Sequence, residues 1–277
     1  MSRAIVVVGS LNADLQIEVP ALPAPGETLL ATAAGTRPGG KGANQAAAVA
    51  LAGGRCWMVG AVGEDGDGRL LTAALAEVGV RTDTVAVLSG TPSGRAVVMV
   101  EPGGENAIVV LPGANGALTP RQVRELTDRV EDVGTVLTQA ELPTSCIVAA
   151  AEAAAVTGAR FVLNLAPCTT LPPEVITRCD PLVVNELEAA ALGRQLSGRS
   201  LVAEELLDVL VAHTRSVIIT LGGAGALFGS ATGRGSVPAP RVAVVDTSGA
   251  GDAFVGAATA ALARGEDLAA ACRAGVA

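Results

Sequence analysis

A chain of 277 residues, half of them hydrophobic but only 1% aromatic, has the length for one large domain with a core of Ala, Val and Leu, and argues against two full domains. Its formal charge of −8 excludes the broad basic face that nucleic acid requires, while leaving room for a small phosphorylated ligand held by one Lys and a few backbone N–H groups. No apolar run approaches the ~20 residues of a membrane span or forms a signal peptide, and Cys56, Cys146, Cys168, Cys179 and Cys272 lack any CxxC spacing. The expectation is a cytoplasmic protein whose cysteines are reduced core thiols.

In chain order, Ala4 to Val8 is a continuous apolar run closed by Gly9, the pattern of a strand covered on both faces. Leu15, Ile17 and Val19 then alternate with Asp14, Gln16 and Glu18, which is the period of a half-exposed strand. The segment Gly39-Gly-Lys-Gly-Ala-Asn-Gln45 opens a helix running to about Leu51, and Trp57 falls in a strand with its ring in the core. Gly94 to Val100 and Ala107 to Leu111 are apolar runs joined by a turn at 102–106. With Thr28 to Arg37 they make a small β-sheet that projects as a lid, formed by about 12–37 and 92–112.

Apolar runs recur at Val133 to Leu137, Phe161 to Leu165, Leu182 to Val184 and Val217 to Leu221, each preceded by residues at helical spacing. His213 follows the helix Leu201 to Val211 and is expected at its exposed end. A last strand, Val242 to Val245, leads into Asp246-Thr-Ser-Gly-Ala-Gly-Asp252 and the Ala-rich helix 253–263. The predicted fold class is α/β: one domain over 1–277, with a mostly parallel central sheet between helices and ligands at the carboxyl ends of its strands.

The segment ending in Asp252 carries the most chemistry. Glycines at 249 and 251, flanking Ala250, let successive N–H groups at a helix start point at a phosphate, and Asp252 beside them can take a proton from a substrate hydroxyl. Taken alone, Asp252 also fits a plain helix cap. There is no GxxxxGK[ST] loop and no GxGxxG opening the first strand and helix, so a Walker-type nucleotide site and a dinucleotide oxidoreductase lose support. Lys41 and Asn44 give the glycine segment at 39–45 a polar-ligand reading beside that of a simple turn.

Gly9-Ser-Leu-Asn-Ala-Asp14, Pro25-Gly-Glu-Thr28, Gly39 to Gln45, Gly113-Ala-Asn115, Asn185-Glu-Leu-Glu188, Thr220-Leu-Gly222 and Asp246 to Asp252 stand in one order along nearly the whole chain. In that order they resemble the ribokinase-like (PfkB-type) family of sugar kinases. The resemblance implies a three-layer α/β/α fold with Asp252 as base and an anion hole at Gly249, Ala250 and Gly251. It implies a sugar site at Asn12, Asp14, Gly40, Lys41, Asn44, Glu141 and Asp252, and a nucleotide site at Asn185, Thr220, Gly222 and Gly225. Glu188 would hold Mg²⁺ through water, and Asp246 with Thr247 would hold a monovalent cation, usually K⁺. Taken by themselves, Asn185 and Glu188 also read as a helix cap, and the glycines after Thr220 as a turn.

The implied reaction is ATP-dependent phosphorylation of D-ribose at its 5-hydroxyl, giving D-ribose 5-phosphate. Fructose, deoxyribose, adenosine and other nucleosides are the alternatives within the family, and a non-catalytic sugar-binding protein is the alternative outside it. Three Phe and no Tyr leave few rings to stack a base, which favours ribose. The expected partners are the sugar and ATP, with neither nucleic acid nor membrane, and a second copy of the chain docked through the lid. The family pattern continues past Ala277 with residues that complete the cation site, an adenine wall and a final helix, so the C-terminal end of the family fold is expected to be absent from 1–277.

Overall fold

The first strand, β1 (Ala4–Val8), has every residue buried, and its alternation is split between two cores: Ala4, Val6 and Val8 enter one, Ile5 and Val7 the other. A strand that feeds both faces must lie mid-sheet with helices above and below. The computed structural model describes residues 3–103, 105–242 and 247–277. After β1 come β2 (Asn12–Glu18), β3 (Ala33–Gly39), α1 (Lys41–Leu51), β4 (Cys56–Gly63), α2 (Gly66–Glu77), β5 (Val85–Leu88), β6 (Gly94–Val100), β7 (Asn106–Leu111), α3 (Ala114–Ala117) and α4 (Pro120–Thr127). There follow β8 (Val133–Gln139), α5 (Thr144–Thr157), β9 (Arg160–Asn164), α6 (Pro173–Ile176), β10 (Leu182–Asn185), α7 (Glu186–Ser197), α8 (Ala203–Val211), β11 (Ser216–Thr220), β12 (Ala226–Ser230), β13 (Gly233–Val237), α9 (Ala250–Ala263) and α10 (Leu268–Val276).

Among the described residues the large sheet runs β13-β12-β11-β10-β9-β8-β1-β4-β5. It is parallel from β5 to β11 and antiparallel at β12 and β13. The split seen in β1 repeats in β9, where Phe161 and Leu163 enter one core and Val162 the other, and in β11, where Val217 and Ile219 oppose Ile218. Helices α4, α5, α7 and α8 cover the first face, and α1, α2, α9 and α10 the second. The expected three-layer α/β/α architecture is the one observed.

The smaller sheet has the order β3-β2-β6-β7, with β2 parallel to β6 and the other pairs antiparallel. Its third expected segment is displaced. Pairing of β3 with β2 begins only at Ala33 opposite Glu18, because β2 stops two residues before Pro20 and offers 28–32 no partner strand. Of the expected last strand, Val242 is exposed and outside any strand, and 243–245 lie outside the described residues.

Cys56, Cys146, Cys179 and Cys272 are buried free thiols, but Cys168 is exposed, in the polar loop that follows Pro167. Burial pushes the Cys56 and Cys179 thiols far up, which makes them inert core residues. His213 sits exposed just past α8 with Nδ1 2.8 Å from the Val209 carbonyl oxygen. Trp57 is buried, with the guanidinium carbons of Arg55 and Arg81 at 5.4 and 5.0 Å from its ring centre. No helix among the described residues is long and apolar enough to cross a membrane.

Candidate active site at the carboxyl ends of the strands

Helix α9 starts abruptly: its N-cap, Gly249, has φ of 73° and brings no side chain of its own to cap the first turn. Ala250 N–H donates to the Thr247 carbonyl at 3.1 Å, so this member of the expected anion hole is already engaged. The N–H groups of Gly251 and Asp252 have no acceptor among the described residues, which leaves them to an anion at the positive end of the helix. They open onto a cleft whose lining includes Lys41, Asn164, Asn185, Glu188, Thr220, Gly249, Gly251 and Asp252.

Asp252 is only 7% exposed although it carries a carboxylate. Both oxygens are engaged: Asn44 Nδ2 donates to Oδ2 at 3.0 Å and Gln45 Nε2 to Oδ1 at 2.9 Å. Gln45 in turn donates to Asn164 Oδ1 at 2.9 Å and accepts from Gln139 Nε2 at 2.7 Å. Helices α1 and α9 come close enough for this because of Gly256, one turn beyond Asp252, where a Cβ would stand 2.7 Å from the Gln45 carbonyl oxygen.

On the lid side, Asn12 is buried and its Oδ1 accepts from Asn115 Nδ2 at 2.8 Å, while Asn115 bridges both backbone groups of Leu11. That bond pins the start of β2, where the lid leaves the body. Glu141 Oε2 accepts from Ser10 Oγ at 2.6 Å and from Lys41 N–H at 3.2 Å. Gly40, the N-cap of α1, has φ of 89° and lies so near β2 that a Cβ would stand 2.8 Å from Asn12 N, so only glycine fits. Asp14 Oδ1 is buried with no partner among the described residues, and burial first, then the charges of Glu141 and Asp252, push its carboxyl up to about 6. An acceptor left buried in this way is costly unless a partner reaches it.

On the opposite side, Asn185 and Glu188 form a reciprocal capping box on α7, with Asn185 Oδ1 accepting from Glu188 N–H and Glu188 Oε2 from Asn185 N–H, both at 2.8 Å. The capping reading therefore holds for this pair, and both residues also line the cleft. Burial raises the Glu188 carboxyl, opposed by the Asn185 N–H and by Lys41 nearby. Thr220 lines the cleft, whereas Gly222 and Gly225 form the tight turn behind it, closed by Leu221 N–H on the Gly225 carbonyl at 2.8 Å.

Among the described residues no three His, Cys, Asp or Glu side chains cluster to hold a metal. A hydrated Mg²⁺ does not need such a cage, because phosphates and one carboxylate suffice, and Glu188 supplies a half-buried carboxylate with one oxygen outside the capping box. The K⁺ site is a different case. Asp246 lies outside the described residues, and Thr247 is exposed with its carbonyl already accepting from Ala250. The described residues do not assemble a monovalent-cation site.

Gln45, Gln139 and Asn164 were not among the residues expected from sequence, nor were Ser10 and Asn115. Their signal was present: Gln139 and Asn164 are the polar residues ending two apolar strands, at the edge of the sheet where ligands bind.

A buried carboxylate beside helix-start N–H groups, next to the acceptor oxygens of Asp14 and Glu141, suits an enzyme that moves a phosphoryl group onto an alcohol. Comparison with known proteins agrees. Residues 2–277 match the pfkB family carbohydrate kinase profile. Ribokinases of Schizosaccharomyces pombe and Bacillus subtilis are each 37% identical, the alignments covering 95% and 98% of this chain and 86% and 89% of theirs. The structure of Arabidopsis thaliana ribokinase complexed with ribose and ATP superposes with a TM-score of 0.86 at 32% identity, over 99% of this chain and 91% of that one. The chain belongs to the pfkB family of carbohydrate kinases.

Proposed function

We propose that this chain transfers the γ-phosphoryl group of ATP to the 5-hydroxyl of D-ribose, with Asp252 as the base. The observation that carries this reading is the Asp252 carboxylate, fixed by Asn44 and Gln45 at a helix start that lines the cleft. The likeness to ribokinases, one of them complexed with ribose and ATP, supports ribose as the sugar.

The sugar lies between the lid and α1. Asp14, Glu141 and Asn12 take its ring hydroxyls, with Lys41, Asn44 and the backbone at Gly40 beside them. Asp14 supplies a desolvated acceptor, so a sugar lacking the matching hydroxyl leaves it unpaired and is rejected. Asp252 accepts the proton of the 5-hydroxyl as that oxygen attacks the γ-phosphorus and the bond to the ADP oxygen breaks. General-base help of this kind contributes roughly 10²- to 10⁴-fold. The Gly251 and Asp252 N–H groups, at the turn formed with Gly249 and Ala250, receive the charge on the phosphoryl oxygens.

Asn185, Thr220 and the turn at Gly222 and Gly225 flank the nucleotide, and Glu188 orders the water shell of Mg²⁺. When bound, that ion neutralises phosphate charge. The chain acts as one unit over 1–277, with β2, β3, β6 and β7 as a lid that excludes water. Buried free thiols and the use of ATP suit the cytoplasm. Ile108, Val109, Val110 and Leu111 of β7, all about half exposed, suit docking of a second copy through the lid.

The test is ADP release on a panel of pentoses, hexoses and nucleosides with ATP and Mg²⁺, with and without potassium. The expected result is the highest kcat/KM on D-ribose. A higher value on a nucleoside or a hexose would reassign the substrate, and ribose binding with no turnover on any member would leave a binding protein.

A further inference from the structure

The amides behind Asp252 admit only one orientation. The Val183 carbonyl can only accept, so the group facing it at 3.2 Å is Asn164 Nδ2. Asn164 Oδ1 must then face Gln45, whose Nε2 supplies one hydrogen to it and the other to Asp252 Oδ1, each at 2.9 Å. Gln139 Nε2 closes the set on Gln45 Oε1 at 2.7 Å. Turning any one amide over would set oxygen against oxygen. Gln45 and Gln139 are both fully buried, so no water compensates for a wrong orientation.

The two carboxylate oxygens of Asp252 are therefore unlike. Oδ1 is tied to the fully buried Gln45, whereas Oδ2 meets Asn44, which is only half-buried. We propose that Gln45, aligned by Gln139 and by Asn164, whose own orientation the Val183 carbonyl fixes, is the positioning residue for Asp252. It holds Oδ1 so that Oδ2 is the oxygen presented to the sugar hydroxyl. This inference rests on the reading of Asp252 as the base. Its physical content is geometric: proton transfer needs the acceptor within hydrogen-bond reach of the hydroxyl, and a misplacement of ~1 Å costs on the order of 10²-fold in rate. Gln45 is a positioning residue only, since Asp252 stands between it and the cleft.

The experiment compares Gln45→Met and Gln139→Met with the parent enzyme, measuring kcat, KM for ribose and ribose affinity on protein whose folded fraction is fixed by circular dichroism. Methionine keeps the volume and removes the donors. Gln45→Met is expected to lower kcat by about 10- to 100-fold while ribose KM and affinity move less than about threefold. Gln139→Met, which touches neither Asp252 nor the cleft, is expected to lower kcat in the same direction by about threefold or more. A folded Gln45→Met enzyme with kcat within twofold of the parent overturns the proposal, as does a loss that follows the folded fraction. If Gln45→Met does not fold, Gln139→Met decides by the same criterion, an unchanged kcat counting against the proposal. Asp252→Asn separates the two claims. If it turns over like the parent, the base assignment itself has failed. If it is inactive while Gln45→Met is fully active, only the positioning role has failed.

Discussion

Gly256 and Ala48 meet where α9 crosses α1, and the contact leaves no space for a methyl group: a Cβ on Gly256 would overlap the Ala48 Cβ and stand 2.7 Å from the Gln45 carbonyl oxygen and 2.9 Å from Val49 N. All three neighbours are backbone or Cβ atoms, so nothing flexible can yield. The crossing lies one turn from Asp252 and sets the reach of Asn44 and Gln45 to its carboxylate. Gly256→Ala is expected to destabilise the fold by ~1–3 kcal/mol through overpacking and to lower kcat in the protein that remains folded. Urea unfolding with parallel kinetics checks this, and an unchanged midpoint would show that the helices separate without cost.

Asp14 sets a pH dependence whose sign follows from its surroundings. Its carboxyl is pushed up to about 6, above the 3.8 of an unperturbed Asp, by burial and by Glu141 and Asp252. For the free protein this contribution favours folding below about pH 4 and is lost as pH rises through about 6. For the sugar the sign is opposite, because ionised Asp14 is the better acceptor. KM for ribose is expected to rise as pH falls below about 6, and Asp14→Asn to raise KM by roughly tenfold, the loss of about one charge-assisted hydrogen bond. That variant should also lose the acid-side trend. KM profiles of both proteins between pH 5 and 8 test it, and parallel profiles would remove Asp14 from the sugar site.

Much of this was legible in the sequence. The apolar run Ala4 to Val8 gave a two-faced strand because both flanking layers draw on it, and the glycines before Asp252 marked the helix start because little else turns a chain so sharply. The antiparallel pair β12 and β13 was not foreseen, since Gly229, Gly233 and Gly235 interrupt the apolar pattern that marks a strand. Gln45 and its amide partners were also missed. Their function lies in which atom of each amide faces which, and that is fixed by residues far apart in sequence that converge on the Gln45 side chain, with Asn164 oriented by the Val183 carbonyl.

The capping box at α7 allows structure to be separated from metal binding. Asn185→Ala removes the cap and is expected to cost about 1 kcal/mol in stability. Glu188→Gln keeps an oxygen to accept from Asn185 N–H, so stability should hold while the Mg²⁺ concentration for half-maximal activity rises several-fold. Thermal melts and Mg²⁺ titrations of the two variants test this; equal Mg²⁺ requirements in Glu188→Gln and the parent would leave Glu188 as a cap only.

The exposed apolar edge of the lid makes a prediction about assembly. Ile108→Glu combined with Val110→Glu places two charges on β7 and is expected to convert a dimer to monomer in sedimentation velocity. A parent protein that is monomeric at working concentration would dismiss the lid as a docking surface.

Asp252→Asn is the most direct test of the account. Its remaining oxygen can still accept from Gln45, and the half-buried Asn44 can turn away from the new amide. Ribose affinity by calorimetry and ADP release by a coupled assay should be measured on the same preparation. The account predicts ribose binding close to that of the parent, with turnover reduced by roughly 10²- to 10⁴-fold. Turnover within a few-fold of the parent, at unchanged ribose affinity, would contradict it.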